Sequence, residues 1–195
     1  MTVGTDGHAV VWPILTENDR SSTLELTWQH PARIHQNSSK VMVSHPVDNG
    51  TTLIVSGGDD GSLAFLLARH MPAASSASPN TSYASPPILV SRAHASAVTA
   101  CTIVVRRNRT FLLTSGNDEW VKLWEITLNG ASYESTTGIV DALQMQRLQK
   151  TKTNVADVSS MAVLDADEDA AAARVVVCGV GMEVIRIDWN EKGIS

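Results

Sequence analysis

A short segment containing glycine and aspartate recurs four times along the chain, and this repeat restricts the possible folds more than any other feature. The third place of each copy is a glycine, at Gly4, Gly58, Gly116 and Gly179. The fifth place is Asp6, Asp60 and Asp118 in the first three copies and a glycine in the last. Such recurrence predicts a protein built from one repeated supersecondary unit.

Each copy has the composition of a β-hairpin. In the third copy, the run TFLLT at 110–114, with a β-branched threonine at each end, leads into a turn around Asp118, and Val121 and Leu123 alternate with polar or turn-forming neighbours. Further strands are predicted at residues 24–28, 40–44, 88–90, 98–105, 143–148 and 158–164. Residues 141–150 suit a helix or a strand equally well. The repeated unit is therefore predicted to be four antiparallel strands, and the predicted fold class is all-β.

The repeat divides the chain into four predicted units. Residues 1–30 form the end of a truncated first unit, residues 31–92 the second, residues 93–150 the third and residues 151–195 a degenerate last unit. The second unit includes a low-complexity loop at 71–87, whose composition is not expected to pack into a core. The first turn has almost no chain before it, so we expect the sequence to be part of a longer protein.

Composition narrows the functional classes. The 195 residues are 43% apolar and 18% charged, which suits a folded domain rather than a disordered chain. A net charge of −5 gives no overall attraction to nucleic acid. Two cysteines cannot form a disulfide framework or a C-x-x-C zinc site. Neither a targeting segment nor an apolar run of about 20 residues is present, so we expect a cytoplasmic protein without membrane contact.

The third unit resembles the repeat of WD-repeat β-propeller proteins. Its His94, Thr114, Asp118 and Trp124 stand at the places of the histidine, the serine or threonine, the aspartate and the tryptophan of that repeat. The resemblance implies that these four side chains form a buried, hydrogen-bonded structural tetrad. A buried carboxylate needs donors, and a buried indole N–H needs an acceptor.

The second unit carries a partial tetrad of the same kind. It keeps His35, Ser56 and Asp60 but has Leu66 where the tryptophan would stand, so a shorter network is expected. The family resemblance implies a partial propeller of about three and a half four-stranded blades.

A narrower resemblance concerns residues 34–40, 92–99, 154–160 and 175–184. They are similar to the C-terminal part of the large WD-repeat subunit that partners the tRNA 2′-O-ribose methyltransferase acting at the anticodon wobble position. This resemblance implies a non-catalytic scaffold with a methyltransferase as protein partner and with tRNA served indirectly. It implies no cofactor and no metal.

Other functions are weighed against this one. A WD-repeat protein could instead be a general adaptor in a ubiquitin-ligase or trafficking complex, because a fold does not determine its partner. The segment 175–181 suggests a nucleotide-binding loop, but it lacks a third glycine and a following helix, which favours a degenerate hairpin. No catalytic residue is expected, because His94 and Asp118 have structural places and no G-x-S-x-G elbow occurs.

Two groups of residues are candidates for partner contact. Arg106, Arg107 and Arg109 form a basic cluster at a predicted hairpin tip, where they could meet phosphates or an acidic protein surface or simply be solvated. Trp120 follows the third turn, and its indole is suited to anchor an interface. His8 and Ser62 occupy the equivalent places in neighbouring units, so the three residues are predicted to line one face of the propeller.

Overall fold

The computed structural model describes residues 2–10, 32–48, 51–70, 82–84, 86–128, 143–165 and 170–189. Within these ranges the regular structure is all-β, as predicted, and no helix occurs that could span a membrane. In chain order the strands are β1 (Thr2–Val3), β2 (His8–Val10), β3 (Ala32–Arg33), β4 (Ser39–Asp48), β5 (Thr51–Gly58), β6 (Leu63–His70), β7 (Ser82–Ala84), β8 (Ile88–Val90), β9 (Val98–Arg106), β10 (Arg109–Gly116), β11 (Trp120–Leu128), β12 (Leu143–Lys152), β13 (Ala156–Val163) and β14 (Ala172–Asp188).

The strands form four separate antiparallel sheets in chain order. The first sheet contains β1, β2 and β3, and the third is the four-stranded meander β9, β10, β11 and β12. In the second sheet, β4, β5 and β6 are followed by both β7 and β8, which pair with different parts of β6. The fourth sheet is β13 with β14. No described sheet closes on itself. The predicted hairpins therefore form, each within its own sheet.

The long β14 is itself a hairpin. The backbone N–H of Trp189 donates to the carbonyl of Ala171 at 3.1 Å, so the residues that flank the two ends of β14 are neighbours. A straight strand of 17 residues would hold these ends about 55 Å apart. Gly181 lies near the midpoint with a φ of 107°, a conformation that suits glycine at a reversal. The glycine-containing segment 175–181 thus belongs to a hairpin, as the repeat predicts.

Successive sheets pack face to face through alternate residues of their strands. On β10, Leu112 packs in one cluster with Leu53 and Phe65 of the second sheet. Its neighbours Phe111 and Leu113 pack instead with residues of the fourth sheet. Because consecutive side chains of a strand point to opposite faces, an almost continuous apolar strand is buried on both sides. The third sheet is therefore enclosed between the second and the fourth.

For two segments the structure adds to what the sequence predicted. Residues 143–152 are a strand, since buried Leu143 and partly buried Met145 alternate with exposed Gln144 and Gln146. The low-complexity loop at 71–87, which was expected not to pack into a core, contributes the short strand β7, which pairs with β6. A strand at a sheet edge needs only backbone hydrogen bonds, which this composition can supply. The predicted strand at 24–28 lies outside the described residues.

Candidate functional site

The four tetrad residues of the third unit meet at the end of the third sheet. His94 precedes β9, Thr114 lies on β10, and Asp118 and Trp124 lie in the β10–β11 turn and on β11. His94 Nε2 is 2.8 Å from Thr114 Oγ1, and its Nδ1 is 2.8 Å from Asp118 Oδ1. The indole of Trp124 donates to Thr114 Oγ1 at 2.9 Å. The structure thus joins all four side chains in one chain of hydrogen bonds.

Donor and acceptor chemistry assigns the protons in this chain. Because Thr114 accepts from the Trp124 indole, its hydroxyl hydrogen is available for His94 Nε2. His94 Nδ1 then carries the ring proton and donates it to Asp118. Burial lowers the pKa of His94 more than Asp118 raises it, so the imidazole is neutral at neutral pH. Every polar atom of the imidazole is satisfied inside the protein.

Asp118 also binds the loop that enters the sheet. Its Oδ2 accepts from the backbone N–H of Ala95 at 3.0 Å and lies 3.5 Å from Lys122 Nζ. Lys122 is 8% exposed and donates to the carbonyl of Ala93 at 2.5 Å. Burial alone raises the pKa of Asp118, but the hydrogen bonds from His94 and Ala95 outweigh it and hold the pKa below its usual value. Lys122, which the sequence analysis missed, is a fifth member of the network.

The second unit contains an additional residue in its network. His35 Nε2 lies 3.0 Å from Ser56 Oγ, as the partial tetrad implies, but His35 Nδ1 lies 2.8 Å from Ser62 Oγ. Ser62 in turn donates to Asp60 Oδ1 at 2.5 Å. Ser62 was predicted to line one face of the propeller together with His8 and Trp120; its side chain takes part in this network, and the residue is 8% exposed. Its hydroxyl bridges the ring and the carboxylate from one side, since His35 Nδ1 and Asp60 Oδ1 are themselves 3.4 Å apart.

This Ser–His–Asp group is not arranged for nucleophilic catalysis. In a catalytic triad the histidine lies between serine and aspartate and accepts the serine proton. Here Ser62 lies in the middle, and its hydroxyl hydrogen is directed to Asp60. Because the Ser62 hydrogen goes to Asp60, His35 Nδ1 must donate to Ser62, and Nε2 of the neutral ring then accepts from Ser56. The hydrogen bonds of this group hold the β5–β6 turn against the loop that precedes β4.

In the fourth unit, a threonine and a glutamate hold the turn against the preceding loop. Thr153 Oγ1 donates to Glu183 Oε2 at 2.7 Å, and the backbone N–H of Asn154 donates to the same oxygen at 2.8 Å. The hydrogen bond from Thr153 is the main cause that lowers the pKa of Glu183. Thr153 and Glu183 thus occupy the roles of the histidine and the aspartate. The repeat could not have indicated Glu183, because the aspartate place of the last copy is Gly181 and Glu183 stands two positions later.

A backbone hydrogen bond links each turn to the start of the next unit. The carbonyls of Gly7, Gly61 and Glu119 accept from the N–H groups of His35, His94 and Thr153 at 3.2, 2.9 and 2.9 Å. All three turn residues have a positive φ, between 61° and 76°. A side chain at Gly61 would contact the carbonyl of His94, which explains glycine there. Glu119 adopts the same conformation without being glycine.

The three arginines of the predicted basic cluster differ in their exposure. Arg106 is 2% exposed, with its guanidinium 5.5 Å from the ring centre of Trp189 and a hydrogen bond to the Ala170 carbonyl. Its prediction as a surface contact is therefore wrong, because the long side chain packs over an apolar ring of the next sheet. Arg109 forms a bidentate ion pair with Glu125 at 2.7 and 2.8 Å. Only Arg107 of the cluster is exposed.

The residues at the turns are also differently placed. Trp120 is half-buried, and the ammonium of Lys150 lies 4.7 Å from its ring centre. His8 is half-buried; its backbone N–H donates to Asp6 Oδ1 at 3.1 Å. Of the three turn residues predicted to line one face, Ser62 is thus hydrogen-bonded within its own network, and Trp120 is partly covered by Lys150.

One open depression lies beside the second network. It has a volume of about 570 Å³ and is lined by the loop 33–37, the Asp60–Ser62 turn, Leu89 of β8 and Ser91 just after that strand. Arg33 Nε in its wall donates to the carbonyl of His35 at 3.2 Å. Among the described residues, no group of three His, Cys, Asp or Glu side chains is arranged to bind a metal ion.

Comparison of the sequence with protein-family models finds no matching family, and comparison with curated proteins finds no matching relative.

Proposed function

We propose that the chain is a non-catalytic WD-repeat scaffold and that its sheets are blades of a β-propeller. The main support is the repeated network in which an acidic turn residue holds the loop before the first strand of its own unit. Asp60, Asp118 and Glu183 each accept from a backbone N–H of that loop, at 2.8, 3.0 and 2.8 Å. Face-to-face packing of successive sheets agrees with a propeller.

The same networks favour binding over catalysis. His35, His94, Asp60 and Asp118 are the residue types that most often perform acid–base chemistry. In this protein their polar atoms are engaged with one another and with the backbone. Rigid sheets with well-held turns are suited to present surfaces and to orient partners.

The proposed process is tRNA 2′-O-ribose methylation at the anticodon wobble position, in the cytoplasm, with the methyltransferase as partner. Its support is the resemblance of residues 154–160 and 175–184 to the end of that adaptor subunit. These residues belong to the β13–β14 hairpin and the loop before it. In this proposal the enzyme supplies the cofactor and the chemistry, and the scaffold supplies contact and orientation.

Deletion of the gene tests this proposal. We expect 2′-O-methylation at the wobble nucleotide of a subset of tRNAs to fall while the amount of the methyltransferase protein remains unchanged. Mass spectrometry of purified tRNA measures the modification, and base modifications elsewhere in the same tRNAs are the control. Reintroducing the gene should restore the methyl group. Unchanged wobble methylation would contradict the proposal and would favour the general adaptor, whose partners a pull-down from cells would identify.

A further inference from the structure

A row of positive charges lies along β12, where the sequence analysis did not identify a site. The strand has the sequence LQMQRLQKTK and carries Arg147, Lys150 and Lys152 but no acidic residue. All three cationic residues are exposed. In the described part of the chain, β12 is the outer strand of the third sheet and pairs only with β11.

An irregularity in β12 brings the three cations to one face. Lys150 lies opposite Lys122, and Arg147 lies opposite Trp124, with a register shift between Leu123 and Trp124. Residues three apart on a regular strand point to opposite faces, but the extra residue of a bulge changes this alternation. Arg147 therefore shares a face with Lys150 and Lys152. A bulge at an exposed edge commonly redirects a side chain in this way.

Contacts with β11 and its turn hold the row in place. Lys152 Nζ lies 3.4 Å from a carboxylate oxygen of Glu119, Lys150 lies over Trp120, and the Arg147 guanidinium lies 6.0 Å from the ring centre of Trp124. Buried Lys122 lies opposite Lys150 but is paired with Asp118, 3.5 Å away. Burial is the main cause that lowers the pKa of Lys122; Asp118 opposes it, and repulsion from Arg147 and Lys150 adds to it. The row itself carries three cations and no acidic residue on β12, with one contact to the Glu119 carboxylate, and so has an excess of positive charge.

The backbone of the same strand offers a second kind of recognition. An outer strand presents N–H and C=O groups that can pair with an added strand. In an extended segment, side chains on one face recur every two residues, about 6.6 Å apart. Lys150 and Lys152 have this separation along β12, so their charges match carboxylates at alternate positions of an added strand.

We propose that the outer edge of β12 binds an extended acidic segment of a partner protein, which adds as a further strand and places carboxylates beside Arg147, Lys150 and Lys152. This inference rests on the proposed scaffold role and specifies the kind of segment that a partner presents. Single-stranded RNA fits the edge less well. Lys150 covers the ring of Trp120 on which a base would stack, and three cations contribute little to the affinity for RNA phosphates.

Binding of a defined peptide to the full chain tests the proposal. The probe is a fluorescein-labelled nonapeptide in which glutamate alternates with valine, measured by fluorescence anisotropy at low salt. The double variant Lys150→Glu/Lys152→Glu should lose about tenfold in affinity, because attraction becomes repulsion. Lys40→Glu is the matched control, since Lys40 is an exposed lysine on the edge strand β4, 3.5 Å from Asp59. This control should bind within about twofold of the parent.

Further probes separate strand addition from simple charge attraction. The same peptide methylated at alternate backbone nitrogens should bind at least about tenfold more weakly, because it cannot pair along the edge. A peptide with lysine in place of glutamate should not bind. Equal binding by the charge-reversed variant, equal binding of the methylated peptide, or tighter binding of a ten-nucleotide uridine RNA would each overturn the proposal. The neutral pair Lys150→Gln/Lys152→Gln repeats the test should the charge-reversed protein melt earlier than the parent.

A cellular measurement separates this inference from the proposed function. The gene-deletion cells receive the parent gene, the Lys150→Glu/Lys152→Glu gene or the Lys40→Glu gene. If the parent restores wobble methylation and the double variant restores it equally, the proposed edge is wrong although the scaffold role stands. If the parent restores nothing, the methylation role fails, and the peptide measurements still decide whether β12 accepts an acidic strand.

Discussion

Replacing Asp118 by alanine should destabilise the protein more than replacing Asp60 by alanine. Asp118 accepts hydrogen bonds from His94 Nδ1 and the Ala95 N–H and lies 3.5 Å from Lys122. Its loss leaves the ring N–H of a 2% exposed histidine without an acceptor and removes the carboxylate beside a lysine that is 8% exposed. Each such buried group costs about 1–3 kcal/mol. We expect Asp118→Ala to lower the free energy of unfolding by about 3 kcal/mol.

Asp60→Ala should have a smaller effect of about 1 kcal/mol. Ser62 lies between this carboxylate and His35, and the Ser62 hydroxyl still accepts from the ring after the carboxylate is lost. The other donors to Asp60 are the backbone N–H groups of exposed Gln36 and of Ser62, at 2.8 and 3.0 Å. The variant therefore loses the hydrogen bonds to the carboxylate, but both ring nitrogens of buried His35 keep their partners, Ser56 and Ser62.

Urea unfolding of the two variants and the parent, followed by tryptophan fluorescence and circular dichroism, measures the difference. Coincident transitions by both probes are needed before free energies are compared. Asp118→Asn is the control, because the amide oxygen can still accept from His94 while the negative charge beside Lys122 is lost. An equal effect of Asp60→Ala and Asp118→Ala, or the reverse order, would refute the argument from buried unpaired groups.

Three further outcomes are expected. Arg106→Ala should cost about 1–3 kcal/mol through lost packing on Trp189, whereas exposed Arg107→Ala should stay within about 0.5 kcal/mol; equal urea midpoints would contradict this. Glu119→Gly should stabilise the chain by up to about 1 kcal/mol, because φ at this position is 61°, and a lowered thermal midpoint would count against it. Burial lowers the pKa of both His35 and His94 below the value of about 6.5 that histidine has in the unfolded chain. As the pH drops from 7 to 5, the unfolded chain therefore binds more protons than the folded chain, and the free energy of unfolding should fall. Replacing both histidines by glutamine should flatten that pH dependence, and an unchanged slope would show that other groups cause it.

The hairpins and the third network could be predicted from the sequence because their determinants are local or of a characteristic residue type. A turn with glycine or aspartate between two β-branched runs specifies a hairpin over about ten residues. The resemblance to the WD repeat places His94, Thr114, Asp118 and Trp124 in one network, and their complementary donors and acceptors agree with it. In the first copy Trp12 stands at the place that Trp124 has in the third, and it lies outside the described residues.

Tertiary structure decided the contacts between distant segments. Arg106 is buried because residues 170 and 189 lie beside it, more than 60 positions along the chain. Ser62 and Glu183 take part in hydrogen-bond networks that could not be predicted from their residue types. The row of cations on β12 depends on one register shift, which places Arg147 on the same face as Lys150 and Lys152. Residue types and short spacings therefore determine hairpins, whereas packing between sheets determines which polar groups are buried and which cations share a surface.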